Sequence, residues 1–294
     1  MPVCTCSARK SYPVKIHEIF LTTTHPIHTI MNNQNKTTER VALITGAGEG
    51  IGRATAMKFA REGYRVACLG RHRKNTEDTA QTIRENGGEA ISLIADIANY
   101  PDMKKVRQKI EDEYGRLDVV FANAGVNGVW APIDKLTPEE FDQTIRINLH
   151  GTFHTIKALY PLLKVRGGSI IITSSVNGNR IFSNSGATAY SCSKAAQVAM
   201  MHMLALELAP DHIRVNSICP GAITTNIGDN TEKKDQDEAK YPVDFPEGSI
   251  PLTHGDAGKP EDCAEVVFFL GSPASKHITG SNIYVDGAQS LLQG

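Results

Sequence analysis

The chain has 294 residues, enough for one large α/β domain or two small ones. Its 31 basic and 32 acidic side chains balance, and this argues against nucleic acid as the main partner. No apolar run reaches the ~18 residues that a transmembrane helix needs, so we expect no membrane partner. The six cysteines are scattered without metal-ligand spacing, so we expect free thiols, a cytoplasmic location and no metal site.

The amino-terminal segment differs in composition from the rest of the chain. Residues 1–38 are rich in Thr, Asn, Pro and His, with no helical or strand period. They lack the apolar core and the small-residue cleavage site of a secretory signal. Met31 is an alternative start that would leave a short polar lead. We predict an unstructured, dispensable extension, followed by one domain over residues 39–294.

From Arg40 onward, runs rich in Val, Ile and Leu alternate with amphipathic helical segments. The runs are nearly continuous in apolar residues, which is typical of strands covered on both faces. Strands are predicted at residues 40–45, 65–70, 90–95, 117–122, 169–173, 213–219 and 282–287. Such alternation implies parallel pairing through right-handed crossovers. The predicted fold is α/β: one doubly wound, Rossmann-like parallel sheet of about seven strands, with helices on both faces.

A segment dense in charge, Gly and Pro interrupts this alternation between Thr224 and Pro260. A loop of this length in a compact domain is usually either a functional lid or a disordered insert. It follows a strand end, which is where ligands bind in such sheets. We therefore predict a lid over residues 226–258.

A glycine-rich turn, TGAGEGIG, joins the first predicted strand to the first helix over residues 45–52. Its glycines allow a tight turn and close approach of the backbone to a ligand. The helix that starts here offers free N–H groups and a positive dipole end to a pyrophosphate. The predicted cofactor contacts in this turn are Gly46, Glu49, Gly50, Ile51 and Gly52.

Further candidate cofactor contacts follow the carboxyl ends of other strands. Asp96 ends the third strand, within reach of an adenine, and the small residues of the turn at 123–125 would let a cofactor lie against the sheet. Each turn alone is ordinary turn chemistry, whereas several at one edge of the sheet indicate a binding cleft. The predicted contacts are Asp96, Ile97, Asn123, Ala124, Gly125, Pro220, Gly221, Ile223 and Thr225.

Tyr190 and Lys194 are four residues apart in a helical segment, so they lie on one face. A free tyrosine titrates near pH ~10, and a neighbouring cation would favour the phenolate and lower that pKa. The pair is therefore a candidate acid–base centre. The alternative is a surface lysine beside a half-buried tyrosine.

From residue 40 to residue 287 the chain resembles the short-chain dehydrogenases/reductases of the single-domain branch. It carries, in the family's order, the TGxxxGxG turn, the NAG turn, the Asn of RINLHG, the Ser of TSS, the YxxxK pair and the PG turn. The resemblance implies an enzyme that interconverts a carbonyl and a secondary alcohol by hydride transfer. The rival hypothesis is a non-catalytic regulatory protein that binds NADP(H).

The same resemblance implies a role for each catalytic position. Tyr190 would be the general acid and base and would also contact the cofactor, while Lys194 would lower the pKa of Tyr190 and bind the nicotinamide ribose. Ser175 would donate a hydrogen bond to the substrate oxygen. Asn148 would hold a water that relays protons from Lys194 to solvent.

The end of the second strand bears on the choice of nicotinamide cofactor. NAD enzymes usually place an acid there, but this chain has Gly70 followed by Arg71. A guanidinium can pair with a 2′-phosphate, which favours NADP, while the charge of Glu49 argues for NAD. We predict NADP, with NAD as the alternative.

The partners expected are a small carbonyl or alcohol substrate and further copies of the chain. Trp130, Ile181 and Phe182 would give the substrate pocket apolar walls. The helices predicted at 141–163 and 190–208 carry apolar residues on more than one face. In the family such helices pair between subunits, so the resemblance implies a homotetramer.

Overall fold

All seven strands that the sequence predicts are present in the computed structural model, which describes residues 39–240 and 250–293. The strands are β1 Val41–Thr45, β2 Arg65–Gly70, β3 Ala90–Ile94, β4 Val119–Ala122, β5 Gly128–Trp130, β6 Gly168–Thr173, β7 Ile213–Pro220, β8 Thr231–Lys233 and β9 Asn282–Val285. All but β5 and β8 form one parallel sheet in the order β3-β2-β1-β4-β6-β7-β9. The extension predicted at residues 1–38, and residues 241–249 of the predicted lid, lie outside the described residues.

The sheet carries helices on both faces, as predicted. The helices are α1 Gly50–Arg61, α2 Arg73–Glu85, α3 Tyr100–Tyr114, α4 Pro138–Ile145, α5 Gly151–Leu163, α6 Thr188–Glu207, α7 Pro260–Gly271 and α8 Gln289–Leu292. Successive strand residues point to opposite faces. In β1, Val41 and Leu43 join the core formed with α3, α5 and α6, whereas Ala42 and Ile44 join the core formed with α1, α2 and α7. Both faces are buried, which is why the strand sequences are continuously apolar.

The single helix predicted at residues 141–163 is interrupted in the structure. A π-helical turn, Arg146–His150, lies between α4 and α5. Asn148 is at its centre and is fully buried. Single π turns inside helices are frequent at functional sites.

The described part of the predicted lid contains structure that the sequence did not reveal. Its strand β8 pairs in parallel with β5, which is just beyond the turn at 123–125. The Nδ2 of Asn127 donates to Thr231 Oγ1 at 2.7 Å, and Lys135 forms ion pairs with Asp235 at 3.0 Å and Glu238 at 2.7 Å. These contacts fasten the beginning of the lid to the mouth of the sheet.

Among the residues that the structure describes, no helix combines the length and the apolar character needed to cross a membrane.

Candidate active site

A cleft of about 540 Å³ opens at the carboxyl ends of the strands. It lies where the strand order reverses between β1 and β4, the position at which open α/β sheets bind ligands. The predicted site residues that line it are Gly46, Glu49, Gly50, Ile51, Arg71, Asp96, Ile97, Asn123, Ala124, Gly125, Ser175, Tyr190, Lys194, Pro220, Gly221, Ile223 and Thr225. The structure thus brings together nearly all of the predicted positions, and only Gly52 and Asn148 lie behind the cleft wall.

The glycine-rich turn is shaped by the absence of side chains. Gly46 and Gly50 have φ angles of 67° and 51°, in the left-handed region that favours glycine. A Cβ at Gly52 would lie 2.0 Å from the main-chain oxygen of Gly46, so Gly52 closes the turn and does not face the cleft. Glu49 is exposed and makes no side-chain capping hydrogen bond to α1. The N–H groups of the first turn therefore face the cleft, which fits an anionic ligand.

Three strand ends are fastened together at the middle of the cleft. Thr45 Oγ1 accepts hydrogen bonds from the main-chain N–H groups of Asn123 at 2.8 Å and Ala124 at 2.9 Å. The Asn123 amide donates to the main-chain oxygen of Thr45 at 3.0 Å and accepts from Thr173 Oγ1 at 3.1 Å. The NAG turn thereby joins the ends of β1, β4 and β6 and lines the cleft.

The end of β2 has room for glycine and for little else. A Cβ on Gly70 would lie 2.2 Å from Thr76 Oγ1, so a side chain there would displace the Thr76 hydroxyl from its hydrogen bond to the main-chain oxygen of His72. Arg71 follows, exposed and on the cleft wall. On the neighbouring strand, the carboxylate of Asp96 accepts from the N–H of Ala98 at 2.9 Å, which fixes the loop at that edge.

Lys194 is almost completely buried on α6, at the end of the cleft far from Arg71. Its Nζ donates to the main-chain oxygen of Thr173 at 2.8 Å and lies 5.5 Å from the centre of the Tyr190 ring. Burial lowers the pKa of Lys194 to about 8, because the charged form loses its hydration. Lys194 is therefore buried and Tyr190 half-buried, so the alternative of a surface lysine is wrong.

The expected direction of the Tyr190 pKa is wrong for this structure. Burial raises that pKa, and a hydrogen bond with the Ser175 side chain acts in the opposite direction. The ammonium of Lys194 is directed at the Thr173 oxygen, and its charge does not offset the burial of the phenol. Tyr190 is accordingly a protonated phenol at neutral pH.

The two adjacent serines have different partners. Ser175 lines the cleft, and its Oγ accepts from the N–H of Asn177 at 3.1 Å. Ser174 Oγ instead donates to the main-chain oxygen of Lys194 at 2.9 Å and holds α6 against the sheet. Ser174 also lines the cleft, so the two serines differ in their hydrogen bonds only, and the role of Ser175 stays a prediction.

The side chain of Asn148 is fully engaged within the protein. Its Oδ1 accepts from the N–H of Val126 at 2.8 Å, and its Nδ2 donates to the main-chain oxygen of Val126 at 2.9 Å and to Ser193 Oγ at 3.0 Å. These contacts give Asn148 a bracing role, whereas the relay water stays a prediction. Sequence reasoning did not single out Ser193, which is fully buried, although its place one residue before Lys194 was a usable signal.

The aromatic wall beside Tyr190 is formed by Trp130 at the end of β5. The two ring centres are 6.3 Å apart. Ile181 is buried on the cleft wall as expected, but Phe182 is 74% exposed and does not line the cleft. The apolar side of the pocket therefore depends on Trp130 and Ile181.

Comparison with known proteins decides the family. A family model described as enoyl-(acyl carrier protein) reductase matches residues 46–288. The chain belongs to the short-chain dehydrogenase/reductase family. It is 36% identical to a 3-oxoacyl-[acyl-carrier-protein] reductase from Thermotoga maritima over 84% of this chain and 96% of that protein.

Solved structures of this family have the same fold. The crystal structure of a 3-ketoacyl-ACP reductase from Sinorhizobium meliloti is 51% identical, with a TM-score of 0.83 over 86% of this chain and 99% of that chain. A 3-ketoacyl-(acyl-carrier-protein) reductase from Brucella melitensis, crystallised with NADH, is 31% identical, with a TM-score of 0.75 over 85% and 98% of the two chains. The protein is accordingly a short-chain dehydrogenase/reductase with a single Rossmann-like domain.

Proposed function

We propose that this short-chain dehydrogenase/reductase uses NADP(H) to interconvert a ketone and a secondary alcohol, with Tyr190 as general acid and base. The observation that carries the proposal is that Tyr190, Ser175 and Lys194 line the same cleft as the glycine-rich turn. The nicotinamide, when bound, would supply or accept the hydride. The protein would bind and orient the cofactor and the substrate, and Tyr190 would donate or accept the proton.

Different residues would hold the different parts of the cofactor. The first turn of α1 would take the pyrophosphate, Asp96 the adenine, Arg71 the 2′-phosphate and Lys194 the nicotinamide ribose. The fit is supported by the open glycine cradle and by Gly125, which lines the cleft beside Lys194 and where a Cβ would crowd Asn148 Oδ1 at 3.0 Å.

The proton chemistry follows from burial. A phenol whose pKa is raised stays protonated at neutral pH, so Tyr190 can donate a proton to the oxygen of a ketone that is being reduced. The Ser175 hydroxyl would donate a hydrogen bond to the same oxygen as negative charge develops there. The ammonium of Lys194 would then stabilise the phenolate left on Tyr190.

Cofactor preference is tested at Arg71. Arg71→Ala is expected to weaken NADPH binding about ten- to a hundredfold and to leave NADH binding unchanged, since a charge-assisted contact is worth roughly 1.5–3 kcal/mol. Arg73→Ala is the matched control, because Arg73 is exposed but does not line the cleft. Dissociation constants can be read from the fluorescence of Trp130, the only tryptophan of the chain. Equal affinity of the wild type for NADPH and NADH would contradict the preference.

The substrate class can be tested with a panel of carbonyl compounds. Three of the similar proteins are named as 3-oxoacyl or 3-ketoacyl reductases, so a 3-oxoacyl thioester is the first probe, followed by cyclic and aliphatic ketones. Consumption of NADPH that depends on one of these ketones would support the proposal. A protein that binds NADPH but reduces none of them, in either direction, would favour the regulatory alternative.

We also propose a homotetramer assembled through the outer faces of α5 and α6. Large apolar side chains are exposed there, with Phe153 46%, Met203 71% and Leu206 82% accessible. An apolar surface of this kind marks a protein interface. Light scattering is expected to give four times the mass of the chain, and Leu206→Glu is expected to lower that mass. A monomeric wild type would refute the proposal.

A further inference from the structure

A buried glutamine, Gln197, lies behind the catalytic residues on α6. It follows Lys194 by three residues and is 1% exposed. Its Nε2 donates to the main-chain oxygen of Asn148 at 2.9 Å and to Thr152 Oγ1 at 2.7 Å. Thr152 Oγ1 in turn donates to the same oxygen of Asn148 at 2.7 Å. The two acceptor positions of that oxygen are therefore both used within the protein.

The π turn held by Gln197 connects the two walls of the cleft. On one side, the Asn148 side chain forms hydrogen bonds with both the main-chain N–H and the main-chain oxygen of Val126, which lines the cleft. On the other side, it donates to Ser193 Oγ, and Ser193 donates to the main-chain oxygen of Tyr190 at 2.7 Å. A displacement of the Asn148 backbone would reach both Val126 and Tyr190.

The amide of Gln197 is only half satisfied. Its Oε1 is buried and, among the described residues, has no hydrogen-bond partner. An unpaired buried acceptor destabilises the folded state, and a methionine of similar length would avoid that cost. Replacement by Met would still leave the Asn148 oxygen with its bond from Thr152. Stability alone therefore does not account for a glutamine at this position.

We propose that Gln197 is a positioning residue for the reaction: it fixes the carbonyl of Asn148 and thereby the relative placement of Val126 and Tyr190. This inference rests on the proposed function. Gln197 does not line the cleft and so acts through Asn148 and Ser193. Reacting groups tolerate little misplacement, because small errors in geometry cost large factors in rate.

The test compares Gln197→Met with Met201→Leu, a volume-conserving change at a fully buried position one turn further along α6. Gln197→Met is expected to lower kcat about tenfold and to raise the isotope effect seen with C4-deuterated NADPH. Its melting temperature should be unchanged or higher, and its affinity for NADPH, read from Trp130 fluorescence, should be unchanged. Met201→Leu should behave as the wild type in all four measurements.

Two outcomes would overturn the inference. One is a Gln197→Met variant with the kcat and isotope effect of the wild type, and the other is a loss of kcat that merely follows a loss of stability. If Gln197→Met does not fold, Thr152→Val removes the other donor to the Asn148 oxygen and should lower kcat to a similar extent, while Thr152→Ser should not. A wild type that reduces no ketone refutes the proposed function itself, whereas an active wild type with unaffected variants refutes only the role of Gln197.

Discussion

Replacement of Tyr190 by Phe is expected to lower kcat for ketone reduction by about 10²–10⁴-fold, the range that a general acid contributes. The substitution removes the proton that the substrate oxygen must receive and keeps the ring that packs beside Trp130. NADPH binding should be retained, since Phe keeps the ring at position 190 and all the other predicted cofactor contacts are unchanged. The measurement is steady-state reduction of the best ketone, with cofactor affinity followed by Trp130 fluorescence.

Tyr100→Phe is the control for that variant. Tyr100 is at the first position of α3, packs against His154 and is not part of the cleft lining. It should retain full activity. If Tyr190→Phe turns over at a rate near that of the wild type, Tyr190 is not the proton donor, and the assignment of the reaction centre fails.

Replacement of Lys194 by Met is expected to abolish most of the activity without destabilising the fold. At neutral pH the folded protein holds a buried ammonium whose pKa is lowered from 10.5 to about 8, which costs about 3 kcal/mol. Loss of the hydrogen bond to Thr173 offsets about 1–3 kcal/mol of that gain. The free energy of unfolding should therefore be unchanged or raised by up to about 2 kcal/mol, as measured by urea denaturation.

The difference in unfolding free energy between the wild type and Lys194→Met is also expected to change with pH. Between about pH 8 and 10.5 the unfolded lysine keeps its proton while the folded one has lost it, so the unfolded state binds more protons. The stability of the wild type relative to Lys194→Met should thus rise with pH across that window and be flat below about pH 8. A variant that is several kcal/mol less stable at pH 7, or a difference that falls with pH, would contradict the buried-ammonium account.

The sheet could be predicted from the sequence because both of its faces are buried. Each strand therefore needed apolar side chains at successive positions. Strand β1 shows this, because its residues are divided between the two cores. The strand ends then placed the glycine-rich turn, the NAG turn and Asp96 at one edge, since parallel strands share their carboxyl ends. These positions were predicted from the strand ends, the residue types of the turns and the family resemblance.

The features that escaped prediction depend on contacts between distant parts of the chain. Strands β5 and β8 have three residues each and no apolar pattern, and they are stabilised by partners that lie about a hundred residues away. The residue spacing in the π turn is almost the same as in a regular helix, so the sequence did not reveal it. The role proposed for Gln197 depends on its hydrogen bond to Asn148, which lies 49 residues earlier in the chain. The pKa of Tyr190 is set by burial, which the residue spacing does not report.

The central claim is hydride transfer to a carbonyl under proton donation by Tyr190, and isotope transfer tests it most directly. Wild-type protein would be incubated with NADPH deuterated at both C4 positions and the best ketone of the panel, and the product alcohol would be examined by mass spectrometry. We predict one deuterium at the former carbonyl carbon, with the deuterated alcohol formed at least about a hundredfold more slowly by Tyr190→Phe than by the wild type. An alcohol without deuterium, or equal rates of its formation by the two proteins, would contradict the account.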